Sequence, residues 1–140
     1  DKIVYRFTID NSPLLSNDIS AIAINPETGE VFIGTSNGIC SFRSTATEGT
    51  ETHTNVLVYP NPVPPGYRGT IAIKGLANNA QVKITEIDGR LVYQVKALGG
   101  QAIWDGRDYK GNAVSSGVYI VLATDEQNRE KLAAKIFFIR

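Results

Sequence analysis

The sequence predicts an all-β protein: a seven-stranded, Ig-like β-sandwich over residues 56–140, preceded by a short antiparallel meander over residues 1–43. Three observations predict it. Short runs rich in Val, Ile, Tyr and Phe are bounded by Gly, Asn and Asp, which is the strand pattern. Thirteen Gly and six Pro interrupt the chain too often for a helix of useful length. Seven such runs fall within about 85 residues, which is the strand number and spacing of a two-sheet sandwich.

In chain order, strands are expected near 3–8, 19–24, 30–35 and 38–43. Pro26-Glu27-Thr28-Gly29 and Ser36-Asn37-Gly38 are the hairpin turns between the last three, since Gly accepts positive φ at low cost. Residues 44–55 contain one Ala and no larger apolar residue. Such a stretch buries too little surface to offset its ordering entropy, so a flexible linker is expected there. Strands then follow near 56–59, 70–74, 81–87, 90–96, 101–104, 117–124 and 131–138. Asp88-Gly89 joins two of them as a tight hairpin. In 117–124, Tyr119, Val121 and Ala123 share one face and Val118, Ile120 and Leu122 the other, as in a central strand. Trp104 supplies a large apolar surface for a small core.

Composition removes several function classes. Fourteen basic residues balance fourteen acidic ones. Nucleic-acid binding needs a cationic surplus to displace counterions, and a polybasic membrane patch needs the same. No apolar run approaches the roughly 20 residues of a membrane span. The single cysteine, Cys40, has no partner for an internal disulfide, and the single histidine is His53. The chain begins in mid-pattern and holds no Met, so it is expected to be a piece of something larger, whose leader would not be visible here.

Candidate chemistry is sparse. His53 lies in the polar stretch, without an apolar wall to orient it as a general base. Cys40, beside Ile39 on a strand, reads as a small core residue. Asp105, Asp108, Asn112 and the Gly106 carbonyl suggest either a calcium loop or tight turns. Their spacing departs from Asp-x-Asp-x-Asp-Gly and no bidentate Glu follows, which favours turns. No phosphate-binding Gly motif is present. No catalytic, cofactor or metal residue is therefore assigned.

Two ordered sets of motifs carry resemblances. Asn17-Asp18-Ile19 to Ile24, a turn, Phe32-Ile33-Gly34-Thr35 and Gly38-Ile39 resemble one repeat of the two-component-regulator propeller families. The resemblance implies that residues 1–43 are a partial β-propeller blade. Downstream stand Val58-Tyr59-Pro60-Asn61-Pro62, Asp88-Gly89-Arg90-Leu91, Trp104-Asp105-Gly106, Ser116-Gly117-Val118-Tyr119 and a Lys in the last strand, Lys135. In that order they resemble the type A C-terminal sorting domain of the type IX (Por) secretion system of Bacteroidetes. The Trp-Asp-Gly portion is also similar to the Ig-like domain of flagellar hook-capping proteins. A propeller repeat followed by a sorting domain resembles PorZ-like proteins.

These resemblances imply a non-catalytic sorting or docking module. It would be recognised by type IX translocon or attachment components, and secreted across the outer membrane to the cell surface. The PorZ-like resemblance also implies engagement of anionic lipopolysaccharide. The last strand is the expected recognition element, with Lys135, Ile136, Phe138 and Arg140, and with Gly117 and Tyr119 on its neighbour. Being terminal, it can offer a free edge. Its alternation would bury Leu132, Ala134, Ile136 and Phe138 and turn Lys135 and Arg140 outward. Lys135 then either makes charge-assisted contacts or protects an edge from aggregation. Pro60, Asn61 and Pro62 are expected to set the angle at which the linker enters the sandwich. Two other readings stand beside this one. One is an Ig-like carbohydrate- or peptide-binding module with Tyr67, Tyr93 or Tyr109 as its platform. The other is a fragment of a propeller sensor.

Overall fold

The computed structural model describes residues 6–44, 47–125 and 127–139, among which ten strands and no helix are found. Two units divide the chain, Asp1–Ser44 and Thr45–Arg140.

The first unit holds β1 (Ile19–Asn25), β2 (Glu30–Thr35) and β3 (Gly38–Arg43) in one antiparallel meander. Local polar chemistry sets both turns. Asn25 Oδ1 accepts the Glu27 and Thr28 N–H groups, and Gly29 takes a positive φ of 68°. Thr35 Oγ1 accepts the Asn37 N–H and donates to the Gly38 carbonyl. Residues 6–8 are not in a strand, and residues 3–5 of the expected first strand lie outside the described residues. The lead-in instead covers part of one sheet face, with the Phe7 ring 4.8 Å from Phe42 and Leu14 buried. Cys40 is half-buried beneath it. Apolar side chains are nonetheless exposed on both faces: Ile22 and Ile24 opposite Ile33 and Val31, and Ile39 with Phe32 on the other side.

The second unit is a sandwich of two antiparallel sheets. One has the order β4 (Leu57–Tyr59), β5 (Ile71–Lys74), β8 (Ala102–Trp104). The other has the order β10 (Glu130–Phe138), β9 (Gly117–Thr124), β6 (Gln81–Glu86), β7 (Leu91–Lys96). Chain order thus alternates between sheets, as in Ig-like domains. The inward side chains follow the two-residue strand period: Ile71 and Ile73 on one sheet, Val82, Ile84, Tyr119, Val121 and Ile136 on the other. Asp88-Gly89 makes its turn as expected, with Gly89 at φ 88° and Asp88 Oδ1 accepting the Arg90 N–H.

The stretch expected as a flexible linker differs from that expectation over residues 47–54. The Thr54 N–H donates to Gly75 O at 2.8 Å, the Asn78 N–H to Thr50 O at 2.7 Å, and the Gly100 N–H to Thr47 O at 3.1 Å. His53 Nδ1 accepts the Ala77 N–H at 2.9 Å, and Nε2 faces the Ala123 carbonyl at 3.3 Å. A neutral imidazole carrying its hydrogen on Nε2 satisfies both contacts. Backbone pairing and one imidazole hold this segment where apolar burial cannot.

The expected burial of Leu132 is corrected. It is 58% exposed. A bulge between Leu132 and Ala134 places one extra residue in β10, so Leu132 lies opposite the outward Leu122 rather than an inward residue. Ala134 is half-buried, and Ile136 and Phe138 are buried as expected.

The β9–β10 turn is built on a carboxylate. Asp125 Oδ1 accepts the Gln127 and Arg129 N–H groups, and Oδ2 accepts Arg129 Nε at 2.9 Å. The Arg129 backbone bond is the largest influence; it outweighs the cost of desolvation and holds the carboxyl below its ordinary range. A folded-state pKa below the unfolded one stabilises above the unfolded value, near about 3.9, and is lost as pH falls through the folded value. The stability gap between the native chain and Asp125→Asn is therefore expected to be full at pH 6. It should shrink below about pH 4 in urea titrations run across that range.

Candidate functional site

The C-terminal half of β10 is bounded by the segment that opens the sandwich. Pro60 and Pro62 have no backbone N–H, so the Asn61 side chain carries the polar contacts of the Pro-Asn-Pro step. Both proline peptide bonds are cis. Asn61 Nδ2 donates to the Lys135 carbonyl at 2.9 Å, and Asn61 Oδ1 accepts the Phe137 N–H at 2.9 Å. One amide side chain thus copies the donor–acceptor face of a strand. Val63 continues the pairing: its N–H donates to Phe137 O at 2.7 Å, and its carbonyl accepts the Ile139 N–H at 3.0 Å. Pro60, Asn61 and Pro62 therefore do more than orient an entering linker. The edge of β10 over residues 135–139 is occupied, which corrects the expectation of a free terminal edge there.

Behind this edge lies an aromatic cluster. The Trp104, Tyr119 and Phe138 rings meet edge to face, with centroids 5.5–5.9 Å apart. Each polar tip is satisfied: Trp104 Nε1 donates to Arg107 O at 2.7 Å, and Tyr119 Oη to Ser115 O at 2.9 Å. The tyrosine bond, reaching back four residues at the start of its strand, is the corner bond of Ig-like sandwiches. Gly106 has φ 73°, and a Cβ there would lie 2.9 Å from Phe138 Cζ. The Trp-Asp-Gly motif is thereby explained: the indole fills the core, Asp105 Oδ1 accepts the Arg107 N–H, and the glycine admits the Phe138 ring.

The expected recognition residues thus divide. Ile136 and Phe138 are core residues, Tyr119 is buried, and Gly117 is exposed at the start of β9. Lys135 is exposed, and Arg140 lies outside the described residues. Asp105 and Asp108 are used by their loop. Asp108 Oδ1 accepts the Lys110 and Asn112 N–H groups, and Oδ2 accepts Asn112 Nδ2. Desolvation pushes the Asp108 carboxyl up, but these bonds together win and lower it. Tyr67, Tyr93 and Tyr109 stand on three different elements; Tyr67 and Tyr109 are exposed and Tyr93 is packed against the core. A cleft of about 340 Å³ lies between the 63–68 loop, the 105–107 turn and Ile139, with Tyr67, Arg68 and Arg107 on its walls. Sequence reasoning missed Asn61 as an edge cap and Val63 as its extension.

Comparison with known proteins agrees with this architecture. The family model described as a secretion system C-terminal sorting domain matches residues 57–138, more than half of the chain. The chain belongs to that sorting-domain family. Its matched region runs from β4 to the end of β10, the two segments joined through Asn61 and Val63. Among solved structures, PorZ of Porphyromonas gingivalis is similar, at 40% identity over 99% of this chain and 19% of that one, with a TM-score of 0.65. It is described as an essential bacterial surface component of the type-IX secretion system. The chain thus spans 19% of PorZ's length. Dimeric latent PorU from the same organism aligns at 20% identity over 79% of this chain and 12% of that one, with a TM-score of 0.44. No curated protein sequence matches. No helix among the described residues is long and apolar enough to cross a membrane.

Three substitutions at two positions test this sorting-domain architecture. Gly106→Ala should destabilise the sandwich by about 2 kcal/mol, from its left-handed φ and the push on Phe138. Asn61→Ala should cost about 1–2 kcal/mol, near 1 per lost bond. Asn61→Asp should not restore stability, because a carboxylate cannot donate to Lys135 O. Chemical denaturation of all three variants checks both statements.

Proposed function

We propose that residues 45–140 are a non-catalytic sorting module that marks a protein for type IX secretion across the outer membrane. The observation that carries this reading is the family match over residues 57–138. It falls on the strands that build the closed sandwich, and the likeness to PorZ supports it. The role needs a stable fold and a surface to grip, with no reacting group. The groups that sequence reading weighed for chemistry are spent on structure: His53 on two backbone groups, Asp105 and Asp108 on their own turns. β10, with Lys135 outward, is the recognition element of this reading, read by translocon or attachment components.

The first unit is proposed as one blade of a β-propeller in the longer parent. Its support is the three-stranded meander with apolar side chains exposed on both faces, which neighbouring blades would cover. A PorZ-like cell-surface protein is the parent this combination suggests. Cargo and machinery differ in the fate of the sandwich: cleavage near residues 44–57 on export marks cargo, and retention marks a PorZ-like component.

Removal of residues 130–140 from the full-length protein should abolish its surface delivery while the upstream part stays folded. Surface biotinylation in a bacterium that carries a type IX system, with limited proteolysis of the retained protein, measures both. Normal surface levels of the truncated protein would sink the sorting reading.

A further inference from the structure

Strand addition is the usual way to read a terminal strand, but β10 is poorly suited to it. Asn61 and Val63 occupy its edge over residues 135–139. Nearer its start, the bulge between Leu132 and Ala134 breaks the regular ladder that an added strand would need. What β10 does offer is its outward face. Leu132 lies opposite Leu122, Lys135 opposite Ile120, and Phe137 opposite Val118. Since Tyr119 and Val121 are buried, Val118, Ile120 and Leu122 point away from the core, and each is only half-covered. Leu132 is 58% and Phe137 46% exposed. The three rows form one apolar band on a single sheet face.

Charge on this face is uneven. At its far end Lys83 Nζ is 2.7 Å from Glu130, so that pair is neutral. Lys135 sits between Leu132 and Phe137 along β10, and its ammonium has no ion-pair partner among the described residues. A single unpaired cation set in an apolar band is complemented by an apolar surface bearing one carboxylate.

We propose that the module is read through this outward β9–β10 face, by a secretion-machinery protein presenting an apolar patch with an Asp or Glu opposite Lys135. The proposal rests on the sorting reading above and assigns the surface that it uses. Leu132 and Phe137 supply the apolar contact, and Lys135 fixes the register by charge.

The test uses the full-length protein in a bacterium with a type IX system, scored by surface biotinylation, with thermal unfolding of each purified variant alongside. Lys135→Glu and the double variant Leu132→Ser, Phe137→Ser should each lower surface delivery at least tenfold, with the protein held back in the periplasm. Lys135→Arg, which keeps the charge, should be delivered normally. Asn61→Ala, which removes two of the four edge bonds but leaves the face intact, should be delivered within about twofold of the native chain. Normal delivery of Lys135→Glu and of the double variant would overturn the proposal, as would equal loss in Lys135→Arg and Lys135→Glu. Where the double variant unfolds early, Leu132→Gln alone takes its place and is held to the same criterion. Removal of residues 130–140 separates the two readings. If that removal blocks delivery while the face variants do not, the face assignment falls and the sorting role stands; if it has no effect, the sorting role falls.

Discussion

An amide side chain closes this sandwich. Between two prolines that offer no N–H, Asn61 presents one donor and one acceptor to the last strand, and Val63 adds one of each. Four hydrogen bonds thereby tie the start of the domain to its end. Without them β10 would hold to the sheet on one side only, through β9. The aromatic cluster depends on the same closure. Phe138 reaches the Trp104 and Tyr119 rings from a strand whose outer edge is fixed by Asn61 and Val63, and it occupies space that Gly106 leaves open. Edge pairing, ring packing and one left-handed glycine form a single arrangement; together they make the terminal strand a structural member before it is anything else.

That arrangement divides one strand into two roles. Ile136 and Phe138 point inward and are inaccessible to a partner in the folded state. Lys135 and Phe137 point outward and contribute little to the core. Alternation of period two lets neighbouring residues serve the core and, in the reading proposed above, recognition without conflict. The bulge after Leu132 shifts this division by one position, so that a leucine that would otherwise be buried joins the outer face.

The strands were legible in the sequence because turn residues punctuate them so regularly. The expected 117–124 strand coincides with β9, and Asp88-Gly89 and Pro26 to Gly29 mark real turns. Leu132 was misplaced because a bulge has no sequence signature beyond an extra residue in an otherwise regular alternation. Residues 47–54 were misjudged for a different reason. Hydrophobic content foretells burial, but this segment is held by backbone pairing and by His53, neither of which composition reveals. Asn61 was noticed for its prolines, yet its partner lies 74 residues away, and no local pattern announces so distant a contact. A hint was present even so: a step stripped of backbone donors leaves a side-chain amide as its natural source of polar contacts. Of the site, the motif order was readable; which residues face inward and which outward was not.

Because the segment after the first strand of the sandwich is paired with the last strand, the domain carries its own check of integrity. Without Phe137 to Ile139, three of the four groups that Asn61 and Val63 bind are gone, and the aromatic centre loses the Phe138 ring. Loss of these residues then yields an unfinished body rather than a smaller but presentable one. Anything that recognises the folded body thereby also senses whether β10 is in place.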